Sequence, residues 1–338
     1  MKFRLILITV IIGLSADGIN AQNRYPVQIN SKQGFINRSG ELVIEPLYSA
    51  VRPFCEGLAA VKSGSQWGFI DTTGKIVIAP QFDDCQNFSE GGAAVKIGDS
   101  WGMINRAGDF ILEPESARVF SFSEGLALVE FRRKMWLLPQ RKQFGFLNTA
   151  GEFEMIFSTS EAHRFSDGLA MVKQVKYLLI LPVREYFTYI DKSGTVVLEA
   201  PFGNVGQFQN GLALVRNGNK YGYIDKAGQL KIQPQFDLAH LFQDHIARVK
   251  VGNRWGFIGS DGRFIVEPQF EHALDFSENL AAVRIDGKWG YIDHGGNFVI
   301  APQFDSAMNF QNGLAAVVTG SLSGYIDKTG GFIWKRPG

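Results

Sequence analysis

The sequence predicts an all-β protein: about nine tandem three-stranded antiparallel meanders, stacked as an open, twisted β-solenoid. Three observations predict it. The stretch Trp67-Gly68-Phe69-Ile70-Asp71 returns at a fixed spacing from one end of the chain to the other. Each unit carries three short apolar runs, mostly β-branched and aromatic, bounded by turn signals. Glycine and proline, 38 and 12 of 338 residues, are too frequent for helices.

The anchor position begins at Gly34 and recurs at Gly68, Gly102, Gly145, Thr188, Gly222, Gly256, Gly290 and Gly324. Most steps are 34 residues; the two that end at Gly145 and Thr188 are 43. A period of this length is the mark of a repeat architecture, in which each unit buries its apolar face only against its neighbours. One domain therefore covers 22–338, in phase from about Tyr25 to Pro337.

Within a unit the anchor strand runs into a turn such as Asp71-Thr72-Thr73-Gly74. Asp or Asn opens the turn in most units, as at Asn37, Asn105, Asn148, Asp191, Asp225, Asp293 and Asp327. Such a side chain bonds its own backbone two residues on, and the glycine supplies the positive φ. The free exchange of Asn for Asp suits a turn cap better than a calcium ladder or a catalytic acid. The next strand ends at a proline, as at Pro80, Pro234, Pro268 and Pro302, where the missing amide stops ladder pairing. A connection through Phe88-Ser89-Glu90-Gly91 and its copies follows, with the phenylalanine expected as a plug between units. The remaining strand, for example Leu212-Ala213-Leu214-Val215, returns through Asn217-Gly218, a hairpin signal.

An aromatic residue precedes the anchor at Trp67, Trp101, Phe144, Phe187, Tyr221, Trp255 and Trp289, but Gln33 and Ser323 stand there in the end units. Polar residues at both ends resemble solvent-facing caps, which favours an open array; the alternative is a closed, propeller-like ring, where four strands per blade are usual.

Residues 1–21 have the pattern of a signal peptide: Lys2 and Arg4, an apolar run over 5–14, and a small residue at Ala21. The run is too short to span a bilayer, and no later segment is long and apolar enough to do so. A soluble protein, periplasmic or secreted, is expected. Loss of Lys2, Arg4 and Asp17 takes the 34 basic and 33 acidic side chains to 32 of each. That balance leaves no basic surplus for phosphates, so nucleic acid is excluded as a partner class. The two cysteines, Cys55 and Cys85, are no disulfide framework. Two small buried thiols are the more usual state, with a bridge as the other.

The Trp-Gly-Phe-Ile-Asp-x-x-Gly core, the Pro-Gln-Phe-Asp segment and the Phe-Ser-Glu-Gly-Leu-Ala-x-Val segment together resemble the WG repeat (WG-containing, or KWG, repeat) family of bacterial proteins. The resemblance covers almost the whole mature chain. It departs at Gln33, Ser323, Thr188 and the two longer units. It implies an all-β repeat scaffold and brings no catalytic residues with it.

No enzyme signature emerges. His163, His240, His245, His272 and His294 lack zinc-motif spacing, although stacking could bring His240 near His272. There is no Gly-x-Ser-x-Gly elbow and no phosphate-binding glycine loop. The expected protein is non-catalytic, without cofactor or metal. What breaks the rhythm is a pair of enlarged hairpins, 130–143 and 173–186. Insertions in repeat proteins gather on one face, often the binding face. The candidate contact residues are Trp136, Leu137, Leu138 and Arg141 in the first, and Tyr177, Leu179, Ile180, Leu181 and Arg184 in the second. Packing of the two hairpins on each other is the structural reading; an apolar patch rimmed by Arg and Lys is the functional one. The expected function is an exported scaffold that binds another envelope or extracellular protein there. The alternative is a glycan- or peptidoglycan-binding repeat protein that stacks sugars on its recurrent aromatics, although such residues mostly serve the core.

Overall fold

The computed structural model describes residues 24–131, 142–178, 181–200, 202 and 204–337, without the side chains of 176–178, 181–184 and 337. The expected signal peptide, 1–21, lies outside them. All described elements are strands, in nine antiparallel sheets: one of three strands and eight of four. Taken as blades in chain order, they span 25–48, 50–82, 84–116, 118–159, 162–199, 204–236, 238–270, 272–304 and 306–337. The expected three strands per unit are corrected to four. The added first strand is only two residues long in most blades, as in Ala50–Val51 or His272–Ala273, too short to leave a periodic signal.

Two compact units divide the chain, 24–37 with 41–121, and 38–40 with 122–337. In the first unit, blade 2 illustrates how sequence becomes sheet. Its second strand, Leu58–Ser63, and third, Gln66–Asp71, pair in register from Ser63↔Gln66 to Leu58↔Asp71 across a turn with Gly64 at φ 61°. The Asp71 turn closes as expected. Asp71 Oδ1 accepts from the Thr73 and Lys75 amides at 2.9 and 3.0 Å, and Gly74 adopts φ 89°. Asn105 and Asn148 use the amide oxygen identically. Hydrogen bonds hold these exposed aspartates below the ordinary carboxylate range: the Thr73 hydroxyl for Asp71, the Gln229 amide for Asp225, the Asn297 amide for Asp293.

The anchor glycine answers a close approach. The fourth strand, Ile76–Phe82, pairs with the third at Phe69↔Ile78 and Trp67↔Phe82, with a bulge between. A Cβ on Gly68 would lie 2.5 Å from the Ile78 carbonyl oxygen and 2.6 Å from the Pro80 nitrogen. Gly222, Gly256 and Gly290 meet the same obstruction. The Trp-Gly pair and the proline ten or so residues later are thus two halves of one crossing.

Blades join through aromatic rings, as expected of the phenylalanine plug. In the first unit the third-strand Phe35 and Phe69 meet the next blade's Phe54 and Phe88 at 4.8 and 4.9 Å between centroids. In the second unit the pairs Phe146–Phe165, Tyr189–Phe208, Tyr223–Phe242, Phe257–Phe276 and Tyr291–Phe310 span 4.6–4.8 Å. Trp67 and Trp255 are buried beneath cations rather than aligned in water: Arg52 lies 4.9 Å from the Trp67 ring, and Arg248 5.4 Å from the Trp255 ring.

A polar latch that the sequence reading missed runs beside these rings. The acid of the Phe-Ser-Glu-Gly turn sits at positive φ and accepts from the turn glycine of the next blade: Glu56 from Gly91 at 3.0 Å, Glu124 from Gly168 at 3.0 Å, Asp167 from Gly211 at 2.5 Å and Glu278 from Gly313 at 2.9 Å. A base following the Asx turn covers the acid, as Arg106 does for Glu56 and Lys328 for Glu278.

The ends of the array overturn the open solenoid. Asx-turn glycines rest on the last strand of the preceding blade: Gly74 on Ile44 in the first unit; Gly262 on Ile232, Gly296 on Val266 and Gly330 on Ile300 in the second. Gly40, from blade 1, takes this seat on Ile333 of blade 9, where its Cβ would come within 2.4 Å of the carbonyl oxygen. Arg38 stands over the blade 9 turn at Gly313. The fold is a β-propeller of nine blades, not an open solenoid. Nor is Gln33 a cap: its Oε1 accepts from the Val51 amide of blade 2 at 2.8 Å, so its polarity serves an inter-blade bond. Ser323 is paired on both sides, with Val318 and Arg336. The cysteines are not bridged; burial pushes the Cys85 thiol up to about 12.

Gly256→Ala, whose Cβ would strike the Val266 carbonyl, should lower stability by about 1–3 kcal/mol. Gly331→Ala, in ordinary contact with Thr329, should shift the urea midpoint far less. Replacing Asp71, Asp191, Asp225, Asp293 and Asp327 together by Asn should flatten the acid limb of stability. Each carboxylate titrates below its ordinary 3.8 when folded, so its contribution is full above that value and is lost as pH falls through the lower folded one. Urea midpoints across pH 2–7 would read this slope.

Candidate functional site

Blade 5 breaks the pattern in several ways at once. Its second and third strands, Leu169–Leu178 and Leu181–Ile190, are ten residues each and pair from Ala170↔Ile190 out to Leu178↔Leu181. This is the second enlarged hairpin. Of its expected contact residues, Tyr177 pairs with Pro182, Leu181 with Leu178 and Arg184 with Lys176. Leu179 and Ile180 lie outside the described residues. So do Trp136, Leu137, Leu138 and Arg141 of the first hairpin. Its base is described: the Phe131 amide donates to the Gln143 carbonyl at 2.9 Å, and Lys142 pairs with Glu130 at 2.8 Å.

Thr188 replaces the anchor glycine and is buried, its hydroxyl donating to the Val172 carbonyl at 3.4 Å. A side chain fits because the fourth strand, Val196–Glu199, has four residues instead of seven. It stops before the crossing that excludes a Cβ elsewhere. The first strands of blades 5 and 6 are correspondingly long, Ala162–Ser166 and Asn204–Gln209, against two residues in Leu238–Ala239.

Between those first strands opens a cleft of about 560 Å³. Its floor takes Glu161 and His163 from the start of blade 5, Met171 and Lys173 from the second strand, and Glu185, Tyr186 and Phe187 from the third. Residues 204–207 of blade 6 form the wall. Two polar pairs organise it: a hydrogen bond of 2.9 Å between Glu161 Oε1 and His163 Nε2, and an ion pair of 2.6 Å between Lys173 Nζ and Glu185 Oε2. The Lys173 ammonium also sits 5.9 Å from the Phe187 ring centre. Its backbone is fixed by donation to the Glu161 carbonyl at 2.9 Å and by the Thr159 hydroxyl. The wall is fastened by the Tyr189 hydroxyl, donating to the Gly206 carbonyl at 2.6 Å, and by Gln207 Nε2, donating to the Arg164 carbonyl at 2.7 Å. Burial raises the Tyr189 phenol, so it stays a donor. The arrangement offers side-chain hydrogen-bonding groups beside the Phe187 ring, with the Lys173 ammonium paired from within the cleft. Of these residues the sequence marks Lys173, Glu185 and Tyr186 as ends of the enlarged hairpin, Phe187 as the aromatic before the anchor and His163 as one of five histidines without a motif; the lengthened first strands left no periodic signal.

A second polar cluster joins blades 7 and 8. Arg248 stands where blades 2, 3, 8 and 9 have Ala60, Ala94, Ala282 and Ala316. It pairs with Asp275 at 2.7 Å, donates to the Ala273 carbonyl, and approaches His240 Nδ1 at 3.1 Å. His240 and His272 do not meet: they lie against Trp255 and Trp289, at 5.6 and 6.3 Å. Among the described residues no three His, Cys, Asp or Glu side chains are grouped to hold a metal. No helix among them is long and apolar enough to cross a membrane.

The model of the WG containing repeat family matches residues 34–66, 67–100, 101–134, 187–221, 221–255, 255–289 and 289–322. The chain belongs to that family. The unmatched stretch between 134 and 187 of this WG-repeat chain holds most of both enlarged hairpins and most of the cleft floor. A crystal structure of a eukaryotic initiation factor is similar to it over 94% of this chain and 96% of that one, with a TM-score of 0.64 at 11% identity. This likeness is one of fold and agrees with the propeller. The β-propeller domain of the trilobed protease from Pyrococcus furiosus gives a TM-score of 0.42 at 11% identity, covering 75% of this chain and 98% of that one. Apo AztD from Citrobacter koseri gives 0.44 at 13%, covering 83% and 94%. No curated protein matches the chain.

The His240 cluster sets a pH dependence. Burial, then the Arg248 charge, lowers the His240 pKa below 6.5, with Asp275 opposing. The unfolded chain therefore binds its proton first, and stability present above pH 6.5 is lost as pH falls toward the folded value. His240→Gln, which still offers Arg248 an acceptor, should reduce the fall in melting temperature between pH 7.5 and 5.5.

Proposed function

We propose that this WG-repeat propeller is an exported, non-catalytic scaffold that holds an envelope or extracellular macromolecule at blade 5. The observation that carries the reading is convergence. The long hairpin, the short fourth strand, the cleft and the break in the family match all fall in one stretch. Elsewhere the recurrent side chains are occupied in joining blades, as the phenylalanine plugs and the acid latch are. Insertions in repeat proteins mark the face that binds. The favoured occupant is another protein engaging the hairpin, since a strand pair extending from a sheet gains stability when something packs against it. A second reading, binding of a cell-wall glycan, is supported by the polar lining of the cleft rather than by the tryptophans, two of which are buried.

Cutting 132–141 and 176–183 back to short Gly-containing turns should leave a folded propeller, with its melting temperature within a few degrees of the parent. That variant should no longer retrieve, from an envelope extract, the protein that the parent retrieves. Retention of the same protein by the shortened chain would remove the hairpins from the site.

A further inference from the structure

Blade 5 has two distinct surfaces, the hairpin and the cleft at its base, and they differ in chemistry. We propose that the cleft is a subsite for one neutral sugar residue of a glycan. The inference rests on the reading of blade 5 as the binding region, but not on the hairpin.

Four properties of the cleft select the ligand class. Its volume, about 560 Å³, lies within the range of small-ligand sites and suits one or two sugar rings. Its charged groups already have partners: Lys173 is held by Glu185 at 2.6 Å, and Glu161 lies 2.9 Å from His163 Nε2. A phosphate or other anion would face two carboxylates with the nearest ammonium engaged, and a cation would have to displace Lys173 from Glu185. An apolar ligand would bury these polar groups without replacing their water, which is costly. What remains is an uncharged molecule rich in hydroxyl groups. Planar carboxylate and amide groups suit vicinal hydroxyls, because each offers two adjacent polar atoms. Glu161, Glu185, Asn204 and Gln207 are four such groups, contributed by two blades. Phe187, on the same strand face as Lys173 and Glu185, supplies the aromatic surface that the C–H face of a sugar ring packs on.

The frame is rigid where a sugar site needs it to be. Lys173 and Glu161 are tied through the backbone, and the Tyr189 and Gln207 bonds fix the wall against the floor. Ordered polar groups cost less entropy on binding than mobile ones. Trp67 and Trp255 offer little stacking surface, since they are buried under Arg and Lys. Phe187 holds the equivalent position but is only half-buried, so glycan binding is assigned to the irregular blade.

The test titrates the mature chain calorimetrically with short oligomers of glucose, mannose and N-acetylglucosamine, and separately with a Lys- and Arg-rich peptide. One oligosaccharide class should bind. Asn204→Ala and Glu161→Gln should each weaken it about tenfold, as expected for loss of one well-placed hydrogen bond, with melting temperatures unchanged. The hairpin-shortened chain should bind the sugar as the parent does while losing the protein partner. Retention of that partner would count against the hairpin alone. Absence of binding to every oligosaccharide, indifference to both substitutions, or binding of the basic peptide alone would overturn the sugar subsite.

Discussion

The contact on which this propeller depends is the ring pair between a third strand and the plug of the next blade. Across both units it keeps nearly the same geometry, with centroids 4.6–4.9 Å apart. Each pair is worth about 0.5–1.5 kcal/mol beyond its buried area. Its larger effect is to fix the third strand in depth, and the other constraints follow. A third strand held there leaves no room between its anchor residue and the bulge of the fourth strand, so that residue is glycine. The bulge is tolerated because proline has no amide to leave unpaired. Tyr189, Tyr223 and Tyr291 add a hydroxyl bond to the next blade at Gly206, His240 and Met308, which satisfies a buried polar group in the joint.

Blade 5 shows what happens when one of these constraints is relaxed. Its tyrosine keeps the ring contact, so the blade stays docked. Its fourth strand is short, the crossing is gone, and a buried threonine takes the anchor. The polar groups that line the cleft lie beside this loosened blade, on strands that have grown longer. The irregularity is thus a single linked change, not a scatter of tolerated substitutions.

Much of this was legible in the sequence. The Asx turns and the phenylalanine plugs follow from local chemistry that each repeat states afresh, whereas the prolines do not end their strands as expected: they sit at a bulge, and pairing resumes two residues on, as at Trp67↔Phe82. Closure was not legible. Gln33 looked like a cap because its hydrogen bond goes to Val51, a partner no local pattern announces. The two-residue first strands were too short to show alternation, which lowered the apparent strand number and favoured a solenoid. The acid latch could have been found: an acid before the positive-φ Gly or Asn of its turn and a base directly after the Asx residue recur together, as Glu56 with Arg106 and Glu278 with Lys328. The cleft could not, because its floor and wall come from separate blades whose approach is a tertiary fact. Its neighbourhood was foreshadowed only as a break in rhythm.

The joint between the ends has a mechanical consequence. Among the described residues neither the first nor the last sheet borrows a strand from the opposite end of the chain. Gly40 on Ile333 and Arg38 over Gly313 meet instead as surfaces, without a shared ladder of backbone bonds. A contact of that kind can part and re-form without any sheet being unzipped. It is a clasp rather than a seam.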